Sequence, residues 1–225
     1  MADREKAFVD LSHVIEAGMT SYKGLPGPII ADYWSREASA ALYDDDSAFH
    51  IGRIDMVANT GTYIDAPFHR FADGSDLAEL DLATLAGLDG LVISVPHADR
   101  ISVESRDVIG QDVRGKAVLI RTGWDEYWRT DAYFSGHPFL TAEAARLLVQ
   151  GGARLVGIDS HNIDDTRGRS RPVHSMLLGA GVIICEHMTN LSALPRTGFK
   201  FTAVPPKIAG MGSFPVRAFA EIAGG

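Results

Sequence analysis

The stretch Thr60-Gly-Thr-Tyr-Ile-Asp-Ala-Pro-Phe-His69 places a carboxylate and an imidazole four residues apart, at Asp65 and His69. Pro67, between them, forbids a continuing helix and argues against a central strand. The spacing therefore predicts an irregular but stiff loop from which both side chains turn inward. An acid and an imidazole held in that way suit a metal or a proton transfer. Further ionisable candidates fall where apolar runs end. Glu186 directly follows residues 182–185, Asp159 follows Leu155–Ile158, and His174 follows Pro172-Val173 at the start of a helical stretch. Strand ends of α/β folds are where sites gather. Two carboxylates with two imidazoles suit Zn²⁺ or Mn²⁺. Without a cation, Asp65 and Glu186 close together would repel and one pKa would rise; a metal relieves that and acidifies a bound water. The residue types also allow plainer roles. Asp65 could accept backbone N–H bonds in a turn, Glu186 could sit at a surface strand exit, and each histidine could simply be hydrogen-bonded. Thr60 and Thr62 read as strand formers rather than nucleophiles. Neither a glycine-rich phosphate loop nor a G-x-S-x-G elbow occurs.

The elements that must position these residues follow from the hydrophobic pattern. Residues 8–13 and 49–57 alternate as strands. Residues 20–28 and 39–47 are turn-rich loops, the second carrying the acidic triplet Asp44-Asp45-Asp46. Residues 77–88 read as a short helix. The compact β-branched runs 91–95, 117–120, 155–158 and 182–184 read as buried strands. Residues 141–149 form a helix, with Thr141 as N-cap and Gly151-Gly152 as the stop. Residues 201–204 and 214–219 are further strands. Strand and helix alternate through the second half, which predicts an α/β fold rather than an all-β one.

The chain has 225 residues and a formal net charge of -8, which suits one domain spanning residues 1–225. The negative charge disfavours nucleic acid and anionic membrane as partners, since both reward clustered Lys and Arg. The densest basic cluster, Arg167 to Arg171, reads as a loop. A single cysteine, Cys185, lies inside an apolar run and reads as a buried thiol. The polar start, with no signal-like or transmembrane run after it, predicts a cytoplasmic protein.

The motifs together resemble the cyclase family of metal-dependent hydrolases, which includes bacterial kynurenine formamidase and isatin hydrolase. That family carries H-x-G-T-H-x-D-x-P-x-H, and this chain reads Asn59-Thr-Gly-Thr-Tyr63-Ile-Asp65-Ala-Pro67-Phe-His69. Arg121-Thr-Gly-Trp-Asp125, His137-Pro138, Gly157-Ile-Asp-Ser160 and Glu186-His-Met-Thr-Asn-Leu191 also look like family segments. The resemblance implies a mixed-sheet swivelling β/β/α domain, in a homodimer or homotetramer. It implies Asp65, His174 and Glu186 as ligands of a divalent metal, and His69 as the proton-transfer residue. It places Tyr22 at the substrate pocket, with Trp124 and Phe68 as further candidate walls. Two family histidines are replaced, by Asn59 and Tyr63, each a poorer Zn²⁺ ligand than imidazole. One metal is therefore expected rather than two, unless His161 and His187 compensate; otherwise those two are polar loop residues. Tyr63 could fill the vacated space with its hydroxyl on Asp65, donate to a developing oxyanion, or ligate an oxygen-preferring metal. The expected activity is hydrolysis of a small amide, formamide, lactam or lactone. The alternatives are a metal-free or metal-weak relative that only binds a ligand, and a metal-dependent isomerase or dehydratase.

Overall fold

The computed structural model describes residues 7–222. In chain order, strand β1 (Ala7–Asp10) is followed by β2 (Ile29–Trp34), the short helix α1 (Arg36–Ala40) and β3 (Ile51–Asp55). Next come β4 (Tyr63–Asp65), β5 (Leu88–Ser94), β6 (Ser102–Val103), α2 (Ser105–Val108) and β7 (Ala117–Arg121). Then follow β8 (Phe139–Leu140), α3 (Ala142–Gly151), β9 (Leu155–Ile158), α4 (Pro172–Gly179) and β10 (Ile183–Glu186). The chain closes with β11 (Phe199–Thr202), β12 (Ser213–Pro215) and β13 (Phe219–Ile222).

Among the described residues, nine strands form one mixed sheet in the order β1-β13-β11-β5-β7-β9-β10-β4-β12. Its centre, β5-β7-β9-β10, is parallel, and both flanks are antiparallel. Parallel strands need cover on both faces, which is why their sequences run apolar without alternation. Val118, Ile120, Val156, Ile158 and Ile184 face one core, closed by Ala144, Leu148, Val173 and Leu177 of α3 and α4. Ala117, Leu119, Leu155, Ile183 and Cys185 face the other, against Leu11, Ile64, Phe201 and Ala220. Cys185 is a fully buried thiol. Thr141 caps α3 by accepting from the Ala144 N–H, and Gly152 ends it at φ +81°.

Several expectations are corrected. Tyr63–Asp65 is a strand, not part of a loop: β10 and β12 pair with it on both sides, and Pro67 falls just beyond, in a 3₁₀ turn over Pro67–His69. The helix expected over 77–88 is only a 3₁₀ turn, Leu82–Thr84, because Asp81 caps it and Gly87 turns the chain at φ +66° into β5. The acidic loop after residue 39 is preceded by α1, capped by Ser35. The run 214–219 divides into β12 and β13. β2 and β3 form a separate two-stranded hairpin, on which Ile29, Ile30, Tyr33, Ile51 and Ile54 are exposed. Among the described residues, no helix is long and apolar enough to cross a membrane.

The sheet tolerates no side chain at Gly90 on β5: a Cβ there would lie 1.9 Å from Cε2 of the buried Phe199. Gly90→Ala should cost about 1–3 kcal/mol through overpacking. Scanning calorimetry should show a Tm several degrees lower; an unchanged Tm would mean that the ring shifts freely.

Candidate metal centre

The site grows out of the sheet ladder. On β4, Tyr63 and Asp65 share one face while Ile64 turns into the core. Antiparallel pairing with β10 sets Tyr63 opposite Glu186, and pairing with β12 sets Asp65 opposite Ser213. Cross-strand neighbours of this kind lie within side-chain reach. The Tyr63 hydroxyl donates to Glu186 Oε2 at 2.5 Å, not to Asp65 as expected, because Glu186 is its cross-strand partner. Asn59 lines the same cavity as Tyr63 and opposes the rise in the Tyr63 pKa. The second Glu186 oxygen accepts the Ile163 N–H at 2.6 Å. Ser213 Oγ is hydrogen-bonded to Asp65 Oδ1 and lies 2.9 Å from His69 Nδ1. A hydroxyl has one proton, and the buried carboxylate takes it. His69 Nδ1–H therefore donates to Ser213, which leaves Nε2 as the bare nitrogen. The turn carrying His69 is pinned by close approach: a Cβ on Gly212 would sit 2.4 Å from the His69 nitrogen.

His174 comes from the first turn of α4. Asp164 holds that turn, accepting from the N–H groups of Val173 and His174 at 2.8 and 3.0 Å. It also accepts from His174 Nδ1–H at 2.7 Å. His174 Nε2 then lies 3.6 Å from Asp65 Oδ2 and 3.7 Å from Glu186 Oε1. Asp65 Oδ2 is buried and has no hydrogen-bond partner in the protein. Burial alone would lower the His174 pKa, but Glu186, Asp164 and Asp65 outweigh it and lift it to about 10. Burial raises Glu186 to about 7, with Asp65 adding to the rise and His174 opposing it. Tyr63 is pushed up by burial and by both carboxylates, so it stays a protonated donor.

These residues fit a divalent cation. A carboxylate oxygen without a partner, an imidazole oriented by a second carboxylate, and two like charges in need of neutralising are what such an ion resolves. Asp65, His69 and His174 each offer a ligand atom within 4.8 Å of the others. Glu186, with Oε1 3.7 Å from His174 Nε2, is the other donor in reach. Asp65, His69, His174 and Glu186 are thus brought together, as are Tyr22, Asn59 and Tyr63, which line the same cavity of about 230 Å³. Leu25, Arg70, Asn162 and Arg171 complete its lining.

Other candidates stand elsewhere. Trp124 does not line this cavity: it donates to the Tyr133 carbonyl and packs against His97 and Tyr127. Phe68 is absent from the lining as well, because successive residues of a 3₁₀ turn diverge by a third of a turn. Asp159 is spent on Thr122 and Gly123, whose N–H groups it accepts. His161 and His187 lie in the loops that follow β9 and β10, as polar loop residues would, but both are buried, and neither joins the cation group. They sit with Tyr133 and Trp128 in an imidazole–aromatic cluster, where His187 Nε2 bonds the His161 carbonyl at 2.8 Å. Ser213, Asp164, Asn162 and the two arginines escaped the sequence reading. None stands at a motif spacing, and only Ser213 beside β4 follows from register, which tertiary pairing sets.

With the geometry established, comparison with known proteins places the chain. It belongs to the cyclase family: residues 9–165 match the family described as "Putative cyclase". It is 30% identical over 213 residues to the kynurenine formamidase of Geobacillus thermodenitrificans, covering 94% of this chain and 95% of that one. It is 26% identical over 215 residues to the kynurenine formamidase of Bacillus cereus, with the same coverage of 94% and 95%. A solved structure described as a "potential metal-dependent hydrolase with cyclase activity" superposes with a TM-score of 0.78 at 28% identity, covering 96% of this chain and 98% of that one. Isatin hydrolase A from Labrenzia aggregata shares the fold, with a TM-score of 0.82 at 23% identity over 97% and 94% of the two chains.

Burial lowers the pKa of His13 to about 4 and of His161 to about 3, and holds His187 well below its ordinary value. Below about pH 6.5 the unfolded chain binds protons that these buried rings refuse, so they withdraw stability as pH falls. His161→Phe, which keeps a ring in the cluster, should lose Tm less steeply than the parent between pH 6.5 and 4. Parallel melting curves across that range would show that His161 does not contribute.

Proposed function

We propose that this protein is a metal-dependent hydrolase that cleaves the C–N bond of a small amide, formamide or lactam, with a lactone as the oxygen counterpart. The observation that carries this is His174 Nε2 standing 3.6 and 3.7 Å from two buried carboxylates, one oxygen of which lacks any protein partner. The kynurenine formamidases it resembles, and the structure described as a potential metal-dependent hydrolase, support the same reading.

Asp65, His174 and Glu186 would hold one divalent cation, Zn²⁺ or Mn²⁺. Such an ion supplies Lewis-acid polarisation of the scissile carbonyl and an acidified water near neutral pH. His69 accepts the water's proton at Nε2 and delivers it to the leaving nitrogen or oxygen, the general base and acid role that an imidazole within reach can fill. Ser213 fixes the tautomer that makes this possible. Asp164 keeps His174 aimed at the carboxylates. Tyr63 occupies the space where the family pattern has a second histidine, which supports one cation rather than two. Its hydroxyl lies on the cavity wall but gives its one proton to Glu186, so it would donate to a developing oxyanion only by releasing that bond. A second reading has its own observation: both Glu186 oxygens already accept hydrogen bonds, a closed arrangement that suits a metal-free ligand binder.

We also place the protein in a homodimer or homotetramer. An isolated two-stranded ribbon with apolar side chains exposed along it is marginal in water and calls for cover.

The metal reading is tested by elemental analysis of chelator-free protein and its variants, read beside turnover of formamides. His69→Ala should lower kcat about 10²–10⁴-fold yet keep about one equivalent of Zn or Mn, whereas Glu186→Ala should lose the metal. Loss of metal from His69→Ala would make His69 a ligand and overturn its role here. No metal after soaking in Zn²⁺ and Mn²⁺ would favour the ligand binder. For the assembly, light scattering should show the Ile30→Asp/Ile54→Asp variant with a smaller mass than the parent; equal masses would exclude the hairpin as the interface.

A further inference from the structure

Two guanidiniums line the cavity and have no part in the proton chemistry: Arg70 and Arg171. Each is braced through one edge. Arg70 Nε donates to Ser175 Oγ at 3.1 Å. Arg171 Nη1 donates to the carbonyls of Ser170, Gly168 and Asp165 at 2.7, 3.0 and 3.4 Å. Among the described residues no carboxylate pairs with either. Arg100, Arg129, Arg146, Arg167 and Arg217, by contrast, each pair with one. In a chain with 29 acidic residues against 21 basic ones, acceptors are not scarce. Among the described residues, the Nη atoms of the exposed Arg70 and Nε and Nη2 of Arg171 donate to no protein acceptor. Asn162, buried on the same cavity, adds to them: its Oδ1 accepts the Asp164 N–H at 2.9 Å, which leaves Nδ2 as the free donor.

We propose that Arg70, Arg171 and Asn162 form a carboxylate-binding subsite, and that the substrate is a small amide or lactam carrying its own carboxylate. This rests on the hydrolase reading above and adds the substrate's charge. A planar two-oxygen anion matches the guanidinium fork. A cavity of about 230 Å³ is smaller than the ~300–1,000 Å³ of typical ligand sites and suits a compact molecule rather than a nucleotide. The charge pattern also orients it. Asp65 and Glu186 repel an anion, while the arginines attract one, so the carboxylate turns to the arginines and the neutral amide to the cation site.

The test compares the isomeric formamidobenzoates with formanilide, which differs only in lacking the carboxylate. The parent protein should favour at least one isomer about tenfold or more in kcat/KM, mainly through KM, as expected for a charge-assisted hydrogen bond. That preference should fall toward parity in Arg70→Gln, Arg171→Gln and their double variant. No preference in the parent for any isomer, or a preference that survives the double variant, would overturn the subsite. If neither substrate class is turned over, the hydrolase reading fails by itself, and calorimetric binding of the same formamidobenzoates decides the subsite. Affinity about tenfold weaker in the double variant supports it; equal affinity, or no binding to the parent, rejects it.

Discussion

The site depends on the insertion of a three-residue strand, Tyr63–Asp65, between β10 and β12. That antiparallel pairing fixes which side chains meet. A slip by one residue would send Tyr63 and Asp65 into the core and bring Ile64 to the cavity. The register is held by Ile64 packed on one face and by ladders on both edges. The glycine at 212 then lets the His69 turn lie close against the strand beyond. Among the described residues, Glu186, His69 and His174 are each reached from this strand through one side-chain contact.

Burying two carboxylates side by side is costly, and the structure distributes that cost. Asp65 is satisfied on one oxygen by Ser213, and Glu186 on both by Tyr63 and Ile163. What remains is one carboxylate oxygen without a hydrogen-bond partner, 3.6 Å from His174 Nε2. Without a cation, His174 must hold its proton and Glu186 is drawn toward neutrality. A divalent ion removes both needs at once. Tyr63 fits the same logic, since a neutral donor against Glu186 takes up part of its charge.

Behind this wall stands the imidazole–aromatic cluster of His13, His161, His187, Trp128 and Tyr133. Its buried nitrogens without partners mark it as a packing layer of neutral rings. His187 enters it directly from β10 at φ +54°, a left-handed conformation uncommon for a residue with a side chain. Tyr63 touches His187 on one side and Glu186 on the other, so this layer backs the cavity wall.

Much was legible in the sequence for local reasons. The parallel strands declared themselves by short β-branched runs, helix α3 by its Thr141 cap and glycine stop, and the buried thiol by its apolar neighbours. Asp65, His69, His174 and Glu186 stood out because chemistry needs those residue types at strand ends, and the family pattern aligned them. The tertiary structure decided the rest. Whether Tyr63 bonds Asp65 or Glu186 is a matter of cross-strand register. Whether residues 63–65 are loop or strand depends on partners more than a hundred residues away in sequence. Ser213, Asp164, Arg70 and Arg171 carry no local signature, because a hydroxyl, carboxylate or guanidinium acquires its role only from what the fold places beside it. Residue types bounded the chemistry that this chain can do; long-range pairing chose the atoms that do it.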